Sequence, residues 1–233
     1  MILETLQKYK EYAESQGLIV YAIALKGSQN YNLADEESDI DANLVFIPTL
    51  TQLRKDEKFK FEFGTGDVVC HNIYKFAEIV AKGNPQWIEV CHSDYTIGDL
   101  SLFKHYKLNP SALKGMVMEK VHAFSKLYPS RAKYIEKFGY DPKQLHHIIR
   151  LYHTLNHNVN THKYSPVDAK WMLDIKRGRL PHTMEEAVIM RDKYLTLLEG
   201  IYEERKLSYS PQEVNYDVLD TIATSYLCKH YNV

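Results

Sequence analysis

Two short polar motifs stand at the ends of two apolar runs, and they restrict the fold more than any other part of the sequence. The run LIVYAIALKGS, residues 18–28, is short, continuous and rich in aliphatic residues, as expected of a strand covered on both faces, and Gly27-Ser28 ends it. After ten further residues, Asp39-Ile40-Asp41 opens a second buried strand that ends before Pro48. Because side chains alternate along a strand, we expect Asp39 and Asp41 on one face and Ile40 in the core.

The paired aspartates and the Gly-Ser motif suit one kind of chemistry. Two carboxylates about 7 Å apart on one face repel each other, so a cation is expected between them. Mg²⁺ takes oxygen ligands, typically one or two carboxylates with substrate phosphates, and a pair of such ions stabilises both reacting oxygens of a phosphoryl transfer. Gly27 permits close approach to a phosphate, and backbone N–H groups with the Ser28 hydroxyl suit a triphosphate oxygen. The sequence therefore predicts a site for a metal and a nucleoside triphosphate.

The rest of the chain divides into a part with strands and a part without. Residues 59–71 predict one or two more strands with a bend at Gly64 and Gly66. Helical periodicity marks residues 2–15, 73–81 and 85–91, and beyond residue 100 the pattern predicts helices at 111–127, 142–157, 166–176, 183–204 and 212–229. This order predicts an α+β fold, with an N-terminal α/β unit in residues 1–100 and a helical domain in residues 101–233.

Helix starts are expected where a residue disfavoured inside helices precedes a proline. Such pairs occur at Asn84-Pro85, Asn109-Pro110, Tyr128-Pro129, Asp141-Pro142, Ser165-Pro166 and Ser210-Pro211. Glu89, in the helix that follows Pro85, is expected at the surface or as a capping group.

The net charge of −1 hides an asymmetry. Residues 1–100 carry 9 Lys or Arg against 16 Asp or Glu, and residues 101–233 carry 20 against 14. An acidic half suits a bound cation and a basic half suits a polyanion. Within the basic part, Lys143, His147 and Arg150 lie at spacings of four and three and share one helix face. That face suits a triphosphate or an acceptor strand, with an ordinary solvated face as the alternative.

These residues resemble the signature of the DNA polymerase beta-like nucleotidyltransferase superfamily, a hydrophobic-Gly-Ser motif followed after a short gap by Asp-hydrophobic-Asp. The segment GSQNYNLADEESDIDANLVFI is similar to that of the nucleotidyltransferases called RlaP-like, which are associated with RNA repair. Later segments of that family resemble GDVVCHNIYKFAEIVAKGNPQWIEV, GYDPKQLHHIIRLY and, more weakly, DIKRGRLPHTMEEAV. Asn32 replaces the glycine after the motif tyrosine, and asparagine tolerates a left-handed conformation, so we expect the turn to persist.

The resemblance implies a mixed sheet of nucleotidyltransferase type with flanking helices in residues 1–100, and a helical domain that contributes nucleotide or acceptor binding. It also implies a third carboxylate beside Asp39 and Asp41 as catalytic and metal-binding residues, and it places this carboxylate at Asp67. Glu62, in the preceding strand-like run, is the competing candidate. Nucleotide binding is expected of Gly27 and Ser28 and, on the family's Lys...His-x-x-Arg helix pattern, of Lys143, His147 and Arg150.

Together, the residues and the resemblance predict a nucleotidyltransferase that uses Mg²⁺ or Mn²⁺. It would move a nucleoside monophosphate from an NTP, ATP among them, to an acceptor hydroxyl and release pyrophosphate. The RNA-repair association and the basic half favour an RNA end as acceptor, and a protein or a small molecule stays open. The alternative from another class is a catalytically silent nucleotide- or RNA-binding module.

Further observations exclude several classes of protein. The three widely spaced cysteines form no CxxC pattern, which argues against a disulfide framework or a zinc knuckle and fits a reducing cytoplasm. No apolar stretch approaches the roughly 20 residues that a membrane span needs, so no membrane partner is expected. The absence of GxxxxGK[ST], GxGxxG and GxSxG removes the usual support for ATPase, dinucleotide oxidoreductase and α/β-hydrolase activity. The sequence does not define the oligomeric state.

Overall fold

The computed structural model describes residues 1–36, 38–55, 58–126 and 129–232. Over these residues a five-stranded sheet and ten α-helices confirm the α+β class. The strands are β1 (Ile19–Leu25), β2 (Ala42–Ile47), β3 (Phe59–Phe63), β4 (Gly66–Asn72) and β5 (Thr96–Gly98). The helices are α1 (Ile2–Ser15), α2 (Leu50–Lys55), α3 (Ile73–Ala81), α4 (Pro85–Cys91), α5 (Pro110–Phe124), α6 (Ala132–Phe138), α7 (Pro142–Asn156), α8 (Pro166–Lys176), α9 (Met184–Lys206) and α10 (Tyr216–Tyr231).

The chain forms two compact units, and neither is continuous in sequence. The first comprises Met1–Asn30, Ala34–Lys107 and Pro211–Val233, and the second comprises Tyr31–Leu33 and Leu108–Ser210. The first unit therefore contains the whole sheet together with the last helix. The division into domains 1–100 and 101–233 stays a prediction.

The sheet is mixed, as the sequence resemblance implies. Its strand order is β3-β4-β2-β1-β5, in which β2 and β4 run parallel and the other pairs run antiparallel. All residues of β1 and β2 are buried, which explains why their sequences are almost entirely apolar, with Asn43 of β2 as the exception. Helix α1 packs on one face of the sheet, and α3, α4 and α10 pack on the other.

Proline marks the helix starts at four of the six expected positions. A fifth pair, Tyr128-Pro129, begins outside the described residues. The side chains of Asn84, Asn109, Asp141 and Ser165 each accept a hydrogen bond from a backbone N–H in the first turn of their helix. The expected start at Ser210-Pro211 is wrong, because α10 begins at Tyr216. The intervening segment is held outside a helix by Gln212, whose side-chain amide bonds both the N–H and the carbonyl of Lys107.

The helices of the second unit end close to their predicted limits. Helix α5 ends at Phe124, and residue 127 of the predicted helix lies outside the described residues. Ten of the fifteen residues of α7 are buried, so this helix forms the centre of the unit. It packs against α5, α8 and α9 through two apolar clusters.

The turn between β3 and β4 depends on Gly66. Its φ of +146° and its close approach to the backbone of Ile40 leave no room for a side chain, because a Cβ there would clash with the Ile40 carbonyl oxygen. Gly66→Ala should therefore lower the free energy of unfolding by about 1–3 kcal/mol, measured by chemical denaturation.

Gly64→Ala is the matched control for that substitution. Gly64 lies in the same turn, and a Cβ there would meet nothing within 4 Å. We expect little change in stability from Gly64→Ala. If Gly64→Ala and Gly66→Ala lowered the free energy of unfolding equally, this would contradict the close approach of Gly66 to Ile40.

Candidate active site

Three acidic residues lie in a row across the sheet where β2 and β4 begin. The parallel register pairs Ala42 with Val68, so the residues before them, Asp41 and Asp67, are neighbours. Their contact is direct, because the backbone N–H of Asp67 donates a 3.0 Å hydrogen bond to Asp41 Oδ1. Glu62 lies opposite Asp67 in the antiparallel pair β3–β4. We call Asp41, Asp67 and Glu62 the carboxylate row.

Asp39 lies just before this row. Strand β2 begins at Ala42, three residues after the predicted start, and Asp39 is exposed on the approach to it. Ile40 follows the predicted alternation, since it packs against the apolar cluster beneath α1. The Ile40 N–H donates to the Thr65 carbonyl oxygen at 2.7 Å, which ties the approach to the turn before β4.

The phenol of Tyr9 on α1 lies near the expected metal ligands, because its hydroxyl contacts Thr65 Oγ1, in the turn before β4, at 2.7 Å. Burial raises the pKa of Tyr9, and the negative charges of Asp41, Asp39 and Asp67 raise it further, against the opposing effect of a hydrogen bond to Thr65. Of the three expected metal ligands, the structure places Asp41 directly beside Asp67, and Asp39 lies two residues before Asp41 on the exposed approach to β2.

Lys60 balances part of this negative charge. Its Nζ donates to Glu62 Oε1 at 2.6 Å and to Asp67 Oδ2 at 2.9 Å, and these bonds raise the pKa of Lys60 above its ordinary value. Across the part of the chain that the structure describes, no three His, Cys, Asp or Glu side chains are arranged to hold a metal ion as they stand. The donor chemistry nevertheless suits Mg²⁺, which uses one or two carboxylates and completes its shell with substrate phosphates and water.

The Gly-Ser turn lies beside the carboxylate row. The Lys26 N–H donates to the Asp41 carbonyl oxygen at 2.9 Å, and Gly27 follows with a φ of +94°, a conformation that favours glycine. Ser28 then opens a 3₁₀ turn that extends to Tyr31. The Gly27 N–H donates to Glu89 Oε1 at 3.1 Å, so this group contacts a carboxylate of the protein.

Glu89 is a site residue that the sequence reasoning missed. The expectation of a surface or capping position is wrong, because α4 packs on the sheet and leaves Glu89 only 4% exposed. Besides the Gly27 N–H, its Oε1 accepts a 3.4 Å hydrogen bond from Asn30 Nδ2. Asn30 also donates to the Leu25 carbonyl oxygen and accepts from Ser93 Oγ, so a buried polar network fixes the turn. The available signal was one acidic residue between Ile88 and Val90 in a short apolar helix.

The other predicted binding residues lie in the second unit, on α7. Asp141 is buried at the start of the helix, where it accepts from the Lys143 N–H at 3.0 Å and pairs with Arg131 at 3.1 Å. Lys143 is exposed, His147 is partly exposed and Arg150 is only 8% exposed. The face predicted from their spacing thus runs from solvent into the core of the unit.

The motif tyrosine contacts the buried end of that face. The Arg150 guanidinium lies 4.3 Å from the centre of the Tyr31 ring, a cation–π geometry that orients the arginine. The neighbouring Asn32 adopts a φ of +64°, which confirms the turn expected for asparagine at this position. Its Nδ2 donates to the Tyr164 carbonyl oxygen at 3.2 Å.

His147 is a neutral group at pH 7. Burial lowers its pKa well below the ordinary value, and the nearby His146, Arg150, Lys143 and Lys120 lower it further. His147 therefore offers a neutral imidazole for hydrogen bonding, and the positive charge of this face comes from lysine and arginine.

A mixed sheet with a Gly-Ser turn after β1 and aspartates at the starts of β2 and β4 defines an α+β unit of the nucleotidyltransferase type. The family model described as the RNA repair pathway DNA polymerase beta family, RlaP, matches residues 1–220. The chain belongs to this family, whose name indicates a nucleotidyltransferase of the polymerase beta type. No curated protein matches the chain.

The length and polarity of the helices can be compared with those that a membrane span requires. Within the described ranges, every helix is too short or too polar to cross a lipid bilayer.

The hydrogen bonds of Glu89 predict that the Gly27-Ser28 turn needs this carboxylate to keep its conformation. Glu89→Ala should lower the free energy of unfolding by about 1.5–3 kcal/mol, because it leaves the part-buried Gly27 N–H and the buried Asn30 amide without this acceptor. Glu89→Gln keeps an oxygen that can accept this bond, so it should lower the free energy of unfolding by less than Glu89→Ala does. Thermal or chemical denaturation measures both variants.

Glu78→Gln on α3 is the control for loss of a carboxylate. Glu78 is more exposed, and its bond to Lys75 is a surface ion pair, so its removal should cost about 1 kcal/mol or less. If Glu89→Ala were no more destabilising than Glu78→Gln, the buried network would not fix the turn.

Proposed function

We propose that the chain is a divalent-metal-dependent nucleotidyltransferase that moves a nucleoside monophosphate from an NTP to an acceptor hydroxyl and releases pyrophosphate. The observation that carries this proposal is the adjacency of Asp41 and Asp67 at the starts of two parallel strands, beside the Gly27-Ser28 turn. Membership of the RlaP family supports the same class of reaction.

Asp67 is the better candidate for the third carboxylate. It adjoins Asp41 directly, whereas Glu62 lies one strand further away and adjoins Asp67. The charge of Asp67 also acts on Tyr9 together with those of Asp39 and Asp41. We therefore assign the metal to Asp39, Asp41 and Asp67, with Mg²⁺ or Mn²⁺ as the ion.

The carboxylates fit a metal that arrives with its nucleotide. Asp41 and Asp67 supply oxygen donors from adjacent strands, and Asp39 supplies a third from the exposed approach to β2. When bound, the metal supplies charge stabilisation for the attacking and leaving oxygens. Lys60 pairs with both Asp67 and Glu62 and offsets part of their negative charge.

The Gly-Ser turn would hold the triphosphate. Gly27 contributes its backbone conformation, since its N–H is bonded to Glu89. We assign the phosphate contact to Ser28, whose hydroxyl can donate to a phosphate oxygen. The buried network around Glu89 and Asn30 keeps this turn in one conformation.

On α7, Lys143 is the exposed cation of the predicted binding face. It would contact a phosphate of the nucleotide or the acceptor as a point charge. His147 would add a neutral hydrogen bond, and Arg150, oriented by Tyr31, would add a second positive charge.

An RNA hydroxyl is the acceptor that the observations favour. The family description names an RNA repair pathway, and residues 104–150 carry ten Lys or Arg against three Asp or Glu. A catalytically silent nucleotide- or RNA-binding module is the second candidate. It is favoured by the lack, among the described residues, of a preassembled three-ligand metal group.

Transfer of label from an NTP separates the two candidates. The purified chain is incubated with each labelled NTP, Mg²⁺ or Mn²⁺, and a mixed RNA pool, and labelled acceptors are separated by electrophoresis. Asp41→Asn and Asp67→Asn should each lower transfer at least about 100-fold, because each removes a charged oxygen donor that the transition state needs.

Glu62→Gln is the matched control, since it removes a carboxylate of the same row that we leave outside the metal site. It should keep transfer within a few-fold of the native rate. Absence of transfer to any acceptor, the chain itself included, would leave the binding module as the function. If Glu62→Gln lowered transfer of label more than Asp67→Asn did, the third carboxylate would be Glu62.

The basic face of α7 predicts that Lys143 contributes more than His147 to the affinity for NTP or RNA. Lys143→Ala should weaken NTP or RNA binding about 3- to 10-fold at low salt and less at high salt, because the lost contact is with a phosphate. His147→Gln should change affinity little, because a neutral hydrogen-bonding group is retained. Fluorescence anisotropy of labelled ligands measures both.

Lys137→Ala on α6 is the control for loss of a positive charge, because Lys137 is exposed in the same basic region but lies outside the binding face. If Lys137→Ala and Lys143→Ala weakened NTP or RNA binding equally, the positive charge would act diffusely. The predicted face of α7 would then be an ordinary solvated surface.

A further inference from the structure

A pocket in the second unit has no role in the proposed site. It is lined by Trp171 of α8, by residues 180–182 that connect α8 to α9, and by side chains of α9, and it encloses about 420 Å³. Such a volume lies within the range of small-molecule binding sites. We call it the α8–α9 pocket.

One face of α9 forms a wall of this pocket. Residues 186, 189, 190, 193 and 194 all line it, and their spacings of three and four place them on the same side of the helix. Ile189 on this face is 62% exposed, and along α9 only Ala187 and Leu198 are fully buried. This side of α9 therefore presents apolar surface to the pocket.

Two aromatic rings make the pocket suited to a flat ligand. Trp171 packs against the apolar cluster beneath it, and Tyr194 contacts the ring of Tyr152 edge to face at 5.1 Å. Burial raises the pKa of Tyr194, so its ring stays neutral at physiological pH. Packed aromatic rings of this kind offer stacking surfaces at low entropic cost.

Two charged groups lie at the same pocket. The Glu186 carboxylate is fixed, because its Oε2 accepts hydrogen bonds from the backbone N–H groups of His182 at 2.8 Å and Thr183 at 3.2 Å. A fixed carboxylate suits the amino or imino donors of a heterocycle. The Lys193 ammonium lies 6.0 Å from the centre of the Tyr194 ring, so a positive charge stands beside the stacking surface.

We propose that the α8–α9 pocket binds a nucleobase that carries a phosphate. The base contacts Trp171 and Tyr194, its hydrogen-bond donors face Glu186, and the phosphate faces Lys193. Whether the base belongs to a free nucleotide or to an acceptor strand rests on the proposed function. The binding itself does not require catalysis.

Trp171 is itself the reporter that tests this proposal. The chain has two tryptophans, so Trp87→Phe leaves Trp171 as the only one. This variant is titrated in EDTA with AMP, CMP, ATP and a short single-stranded RNA, and stacking should quench its fluorescence. Ribose 5-phosphate and inorganic phosphate should not quench it. If RNA quenches at a lower concentration than the free nucleotides, the acceptor strand is the source, and the reverse order assigns the pocket to the nucleotide.

Substitutions in α9 show whether quenching arises in the pocket. In the Trp87→Phe background, Tyr194→Leu should raise the concentration for half-maximal quenching at least about fivefold. Tyr202→Leu, on the same helix outside the pocket, should leave it unchanged. Line broadening of the base protons of AMP, measured by NMR with the native chain and with Tyr194→Leu, repeats the test without the Trp87 substitution.

Two results would overturn the proposal. One is the absence of both fluorescence quenching and line broadening with the base-bearing probes. The pocket would then bind another ligand, such as an apolar side chain of a partner protein. The other is an equal response in the native chain and in Tyr194→Leu. Because no metal is present, neither result depends on whether the chain transfers nucleotides.

Discussion

The parallel pairing of β2 with β4 is the constraint on which the proposed site depends. It makes Asp41 and Asp67 neighbours although 25 residues separate them in sequence, and the hydrogen bond from the Asp67 N–H to Asp41 fixes their contact. Gly66 permits this contact, because a side chain there would clash with the backbone before Asp41. The neighbouring antiparallel pair brings the Gly27-Ser28 turn to the same edge, so one sheet register positions both the carboxylates and the expected phosphate-binding turn.

The second constraint is the burial of Glu89 beneath that turn. A carboxylate that is 4% exposed must be compensated by hydrogen bonds, and Gly27 and Asn30 provide two of them. The Gly-Ser turn is thereby stabilised from the protein side. The second unit uses the same principle on α7, where the buried Asp141 caps the helix and pairs with Arg131, and Tyr31 orients Arg150.

Local patterns predicted most of the fold. Continuous apolar runs identified β1 and β2, and proline after a capping residue identified the starts of four helices, because these signals lie within a few adjacent residues. The start of α10 was predicted wrongly because it depends on Gln212 bonding to Lys107, more than 100 residues earlier. The inward position of Glu89 and the contact of Arg150 with Tyr31 were missed for the same reason, since each depends on tertiary packing. The motifs named the aspartates as candidates, and only the strand register could show that Asp67 adjoins Asp41.

The central claim is that Asp41 and Asp67 bind a divalent metal that arrives with its nucleotide, and Mn²⁺ binding measured by electron paramagnetic resonance tests it most directly. The titration is made with and without a non-hydrolysable NTP, on the native chain and on Asp41→Asn. We expect tight Mn²⁺ binding to the native chain only with the nucleotide, and its loss in Asp41→Asn. Nucleotide-dependent Mn²⁺ binding of equal strength in the two proteins would contradict the account.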